Sequence, residues 1–211
     1  MFQLQDMVRV RPMLFHLTAS SNIDRIRSLG RLDPAADLIR AAGHDGELLT
    51  ERRTGHVPIV VAGTRVLLRD QAPLHAGNVA LDAGYSFGDV VRMLNERVYF
   101  WPGTTAGPIA SGVNHFTRYA VKEREDCVVL VIPSASLLAA NPTLPPLFSR
   151  CNSGSPRHNP KSGKQPRGPH TFRPAEQFEG TARDIVEVTF AGPVRLPKDM
   201  RVTKPQQWIK G

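Results

Sequence analysis

The segment Asp184-Ile185-Val186-Glu187-Val188-Thr189-Phe190 has the two-residue period of a β-strand and carries a carboxylate at its centre. Val186, Val188 and Phe190 fall on one face, and Ile185, Glu187 and Thr189 on the other. An acid in a segment otherwise suited to burial has two readings. It sits on a solvated sheet face, or it lines a cleft. In a cleft, Glu187 has the chemistry to hold a ribose hydroxyl, to act as a general base, or to stabilise an oxocarbenium-like transition state.

The chain before this strand sorts into an α+β class, with strands grouped rather than strictly alternating with crossover helices. Met13 to Leu17 reads as a short strand that delivers His16 near a helix start. Ser21 is the expected cap of that helix, Ile23 and Ile26 its apolar face, and Gly30 its end. A second helix is expected with Asp33 as cap, Pro34 in its first turn, Leu38 and Ile39 inward, and Gly43 closing it. Residues 58–62 and 64–69 form a hairpin pattern around Gly63, and 72–84 reads as loop. Ser86 caps a helix bearing Val90, Val91 and Leu94. Val98-Tyr99-Phe100-Trp101 is an aromatic strand that Pro102-Gly103 should stop, and Pro108 should open a helix to about Lys122. The near-continuous apolar run Cys127 to Ile132 is suited to the centre of a sheet.

From Cys127 to Ala175 there is no Asp or Glu. In the first part this is a core effect. Residues 141–174 differ: they are rich in Pro, Gly, Ser and Asn, show no helical or strand period, and carry Arg150, Arg157, Lys161, Lys164, Arg167 and Arg173. A loop of this length in a compact domain is functional or disordered. The whole chain holds 27 Lys and Arg against 19 Asp and Glu, a net charge of +8, and the clustering of that charge points to an anionic partner. The length of 211 residues fits one domain, 1–211, with the basic loop as an embellishment.

Two cysteines, Cys127 and Cys151, make no disulfide framework, so a reduced, cytoplasmic setting is expected. Met1 to Pro12 has no h-region, and no apolar run approaches the ~20 residues of a membrane span, so no membrane partner is expected. No His/Cys cluster has metal-ligand spacing, and no metal is expected. No Gly-rich strand-to-helix phosphate motif is present. Ser153-Gly154-Ser155 and Arg167-Gly168-Pro169 read as loop pieces.

Further candidates follow from residue type. His16 and the neighbouring Thr18 precede a helix start and suit a ligand-facing corner, although a lone His at a strand end is more often structural. One guanidinium of Arg52, Arg53 and Arg69 is suited to clamp a phosphate, while Arg69 has Asp70 as a local partner. Tyr99, Phe100 and Trp101 suit either stacking on a flat ring or the core. A His16/His115 acid–base pair for metal-independent RNA cleavage is conceivable, with no support from spacing.

The ordered set Phe15-His16-Leu17-Thr18, Asn22-Ile23, Ile26, Gly30 and Leu32, then Glu51-Arg52-Arg53, then Val98-Tyr99-Phe100-Trp101, then Ile185-Val186-Glu187-Val188 resembles the ADP-ribosyltransferase fold, and within it the DarT-type DNA ADP-ribosyltransferase toxins. Arg69-Asp70-Gln71-Ala72-Pro73-Leu74, Ser153-Gly154-Ser155-Pro156-Arg157 and Pro166-Arg167-Gly168-Pro169 with Thr171-Phe172 look like the signature of a largely uncharacterised bacterial domain family related to that fold. The aromatic strand is not followed by the Pro-Met-Leu-Tyr-type segment of DarT.

The resemblance implies a split mixed or antiparallel sheet with flanking helices and NAD as co-substrate. It implies catalytic roles for Glu187 and Arg53. His16, Thr18, Asn22, Arg52, Arg69, Tyr99 and Phe100 would bind NAD, with Arg53 holding its pyrophosphate. The acceptor would be DNA or RNA, met by Arg150, Arg157, Lys161, Lys164, Arg167 and Thr171. A toxin or phage-defence role, with an antitoxin protein as partner, belongs to the same implication. Two alternatives share the fold: a non-catalytic nucleic-acid-binding module, and an RNA 2′-phosphotransferase-like enzyme, which relies on basic residues and is disfavoured by Glu187.

Overall fold

A computed structural model of the protein describes residues 2–44, 46–157 and 163–209; Lys161 lies outside the described residues. The structure is α+β. Among the described residues the main sheet has seven strands, and its path runs Arg201–Thr203, Cys127–Pro133, Met13–Ala19, Val98–Thr104, Glu187–Phe190, Leu147–Ser149, with Gly107–Pro108 paired to Val98–Thr104. These pairings are antiparallel.

Strand alternation divides the core in two. Leu14, Phe100, Leu130, Ile132, Val188 and Phe190 meet the helix Leu4–Val10 on one side. Met13, Phe15, Leu17, Trp101, Cys127, Val129 and Val131 meet Phe116 of the helix Ala110–Thr117 on the other. Cys127 to Ile132 are all buried, as an apolar strand covered on both faces must be.

The sheet divides at Val98–Thr104. Of the Met13–Ala19 strand, only Phe15, Leu14 and Met13 pair with it, at Trp101, Pro102 and Gly103. Its other half, Val98 to Phe100, pairs along the opposite edge with Phe190 to Val188. Past Phe15 the Met13–Ala19 strand continues against Cys127–Pro133 alone, and a gap opens beside Tyr99.

Several expectations are corrected. The late strand begins at Glu187, and both its faces are buried, so Glu187 is on no solvated face. Pro102-Gly103 does not stop the aromatic strand, which runs to Thr104. Gly103 is what permits this, since a Cβ there would collide with the Gly107 carbonyl and Pro108. Asp33 is not a cap. It pairs with Arg25 and Arg31, and Pro34 precedes the helix Ala35–Ala41. Ser21 lies in a 3-10 turn and caps nothing. The helix expected from Pro108 spans Ala110–Thr117 and ends in a π turn, Arg118–Lys122. Two three-residue strands, Leu147–Ser149 and Gln165–Arg167, interrupt the loop expected at 141–174, and Val79–Leu81 interrupts that at 72–84. Leu147–Ser149 pairs with Glu187–Phe190 and Gln165–Arg167 with Val79–Leu81, partners distant in the chain that impose no local period.

The hairpin Val57–Val61 and Thr64–Leu68 turns through Ala62 and Gly63, both at positive φ. Asn22, in the 3-10 turn after Met13–Ala19, clasps its second strand. Asn22 Nδ2 donates to the Leu67 carbonyl at 3.0 Å, and Asn22 Oδ1 accepts from the Leu67 N–H at 2.9 Å. Asn22→Ala removes both bonds and should cost about 2 kcal/mol, lowering Tm by roughly 4–8 °C for a domain of this size. Differential scanning calorimetry checks this, and an unchanged Tm would show that the clasp carries no stability.

Candidate active site

Glu187 is only 4% exposed. Its Oε2 accepts the Ser153 N–H at 3.1 Å, from the turn that follows the neighbouring Leu147–Ser149 strand. Burial pushes the Glu187 carboxyl up to about 7, opposed by the Ser153 hydroxyl and N–H and by the charge of Arg167. The Glu187 charge in turn reaches Tyr99. Together with the larger effect of burial it raises the Tyr99 phenol well above its ordinary value, and the phenol donates to the Leu94 carbonyl at 3.0 Å.

His16 meets Tyr99 from the other side of the gap, its Nδ1 2.8 Å from the Tyr99 carbonyl oxygen. A carbonyl only accepts, so Nδ1 carries the proton and Nε2 is left as an acceptor. Burial pushes the His16 imidazole down to about 4, with the Arg69 charge adding to it. His115, packed against Trp101 and Tyr119 at 5.4 and 4.9 Å between ring centroids, is lowered too, again first by burial and further by the charges of Arg69 and His16. Both rings are thus pushed toward their neutral forms by loss of water.

The residues first assigned to cofactor binding separate into two groups. His16 and Tyr99 stand at the gap and are half-buried. Thr18 is buried beneath it and accepts from Asn22 Nδ2 at 3.3 Å. The others have structural employment. Asn22 holds Leu67, and Phe100 is core. Arg52 donates to the carbonyls of Ala72 and Leu74. Arg53 is buried, donates to the Arg69 carbonyl and to Asn95 Oδ1, and is lowered to about 10 by burial. Arg69 lies across the Tyr119 ring and forks onto Glu125 at 3.0 and 2.7 Å. Its expected partner Asp70 is instead held near His56 and Arg118.

Of the basic loop, Arg150, Arg157 and Lys164 are exposed. Arg167 is not: it is 1% exposed and inside the fold. Thr171 Oγ1 accepts from the Gly168 N–H and braces the loop locally. Sequence reasoning missed Ser153, whose Ser-Gly-Ser setting signalled a tight turn without showing which carboxylate it meets. It also missed Asn95, a buried amide joining Arg53, Gln71 and the Leu49 carbonyl.

Solvent-open cavities among the described residues include these two. One, of about 670 Å³, lies between the Leu4–Val10 helix and residues 178–183. The other, of about 460 Å³, is lined by Arg52, Arg53, His56, Glu47 and Glu51. Glu187 and His16 line neither. Nearby, His56, Asp70 and Glu123 bring potential ligand atoms within 4.8 Å of one another, but Arg118 already holds Glu123 at 2.7 Å, so this is an ion-pair network. No helix among the described residues is long and apolar enough to cross a membrane.

The raised carboxyl has a measurable consequence. Between 4.5 and about 7 the unfolded chain gives up a proton that the folded chain keeps, so this group's stabilisation is lost as pH rises through about 7. Glu187→Gln removes the effect. Relative to the wild type, the variant should gain about 3 kcal/mol between about pH 4.5 and about pH 8 in denaturant unfolding. A difference that stays constant with pH would mean that Glu187 titrates ordinarily.

Comparison with curated proteins gives no match, and neither does comparison with solved structures. Residues 12–200 match a family model described as "Family of unknown function (DUF7002)", which takes in all of the main sheet but its edge strand Arg201–Thr203, together with the gap and Glu187, and the chain belongs to that family.

Proposed function

We propose that the protein is an NAD-dependent ADP-ribosyltransferase acting on a nucleic acid. The observation that carries this reading is the placing of a buried carboxylate, Glu187, and a neutral imidazole, His16, on either side of Tyr99 where the sheet divides. The ordered sequence motifs, which resemble those of the ADP-ribosyltransferase fold, support the same reading.

The chemistry is direct. His16 Nε2 accepts a hydrogen bond from a ribose hydroxyl or from the nicotinamide amide. Tyr99 borders the nicotinamide. Ionised Glu187 holds a hydroxyl of the nicotinamide ribose and stabilises the positive charge that grows at C1′. The C1′–N bond to nicotinamide breaks, and the bonding pair leaves with the now neutral ring. A nucleophilic atom of the acceptor base forms the new bond to C1′, and its proton passes to solvent. A single-stranded acceptor avoids the cost of extruding a base from a duplex. Arg150, Arg157 and Lys164 meet its phosphates, which gives salt-dependent affinity with little sequence information.

One observation favours a second reading, a non-catalytic nucleic-acid-binding module. Arg52 and Arg53 spend donors on the protein's own carbonyls, and Arg69 is forked onto Glu125, so the pyrophosphate lacks its expected guanidinium.

Labelled NAD incubated with DNA, RNA or protein separates the two. The transferase reading expects nicotinamide release, a labelled nucleic acid, and a rate that rises with pH through about 7 as Glu187 ionises. It also expects product to vanish in Glu187→Ala. No transfer to any acceptor, with no NAD-induced change in Tm, would overturn it. The binding-module reading expects Glu187→Ala to be silent and charge reversal of Arg150, Arg157 and Lys164 to abolish binding.

A further inference from the structure

The loop 141–174 contains a guanidinium that faces no solvent. Arg167 Nε donates to the Ser153 carbonyl at 3.1 Å, and Nη2 donates to the Asn152 carbonyl at 2.9 Å and to Gln165 Oε1 at 3.2 Å. Nη1 donates to the Pro166 carbonyl at 2.9 Å. The backbone of Arg167 is anchored in turn: Gln165–Arg167 pairs with Val79–Leu81, and the Asp82 N–H donates to the Arg167 carbonyl. Gly168 allows this approach, since a Cβ there would collide with the Asp82 side chain.

What Arg167 grips is the turn that meets Glu187. The peptide carbonyls of Asn152 and Ser153 are held from behind, and the Ser153 N–H is aimed forward at Glu187 Oε2. The Ser153 hydroxyl is buried, has no hydrogen-bond partner of good geometry among the described residues, and faces both Glu187 and Tyr99. A turn fixed by a planar fork is a fixture rather than a lid.

We propose that Arg167 and Ser153 form a positioning relay for Glu187, in which Arg167 fixes the Asn152–Ser153 turn and Ser153 fixes one oxygen of the carboxylate. The proposal rests on the reading of Glu187 as the site carboxylate. It assigns Arg167 a role opposite to that of a phosphate ligand, because its donors are consumed inside the fold. Lysine cannot replace it: one ammonium keeps the charge but cannot span two carbonyls in a plane.

The test is the carboxyl titration of Glu187, followed by ¹³C NMR on the full chain, in the wild type and Arg167→Lys, with the Ser153 amide proton followed in the same samples. In the wild type the Ser153 amide proton should shift downfield with the same midpoint as the Glu187 carboxyl, because its N–H meets Oε2. Arg167→Lys should move the Glu187 midpoint up by about half a pH unit or more although the charge is kept, and the acid limb of the transfer rate should follow. A Ser153 amide proton that does not titrate with Glu187 overturns the contact, and a midpoint unmoved in folded Arg167→Lys overturns the relay. The amide measurement needs no variant and stays decisive if Arg167→Lys does not fold. Midpoints that move as expected in a protein that never turns over NAD would leave the relay standing and remove the transferase reading.

Discussion

The Tyr99 peptide sets the site. Its strand joins Met13–Ala19 only from Trp101 onward, so the Tyr99 carbonyl faces a gap where a neighbouring strand would have supplied an N–H. A buried carbonyl without a donor is costly, and the His16 imidazole supplies the proton. That single bond determines the His16 tautomer, keeps the ring at the gap, and makes its free nitrogen an acceptor. On the other edge of the same strand, Thr189 and Val188 pair with Tyr99 and Phe100 and bring Glu187 alongside.

Electrostatics at the gap follow from burial rather than from charge pairing. His16 falls to about 4 and Glu187 rises to about 7, and in both cases loss of water is the largest cause. Both groups are pushed toward their neutral forms. Arg69, whose charge acts on His16 and His115, is itself neutralised by Glu125. The exposed cations Arg150, Arg157 and Lys164 lie on the loop between Asn141 and Pro174.

Much of the fold was legible in the sequence because period and composition are local. The apolar run at Cys127 marked a central strand, Gly63 marked a hairpin, and Ser86 marked a helix start that has a full capping box with Asp89. Leu147–Ser149 and Gln165–Arg167 were illegible because three residues carry no period and their partners are distant in the chain. Within the site, Glu187 and His16 were legible as polar residues in apolar strands. The arginines were not: residue type cannot tell a guanidinium that meets a phosphate from one that satisfies buried carbonyls, and Arg52, Arg53 and Arg167 do the latter. Membership of the DUF7002 family covers the same span, 12–200, and leaves the chemistry to be argued from these side chains.

The most direct test of the account is whether His16 and Glu187 belong to one ligand site. NAD titrated into protein labelled with ¹⁵N in histidine and ¹³C in the glutamate carboxyl, assigned with His16→Asn and Glu187→Gln, should shift the His16 Nε2 and Glu187 carboxyl signals together, with one Kd. Shifts at neither residue, or at one alone, would contradict it.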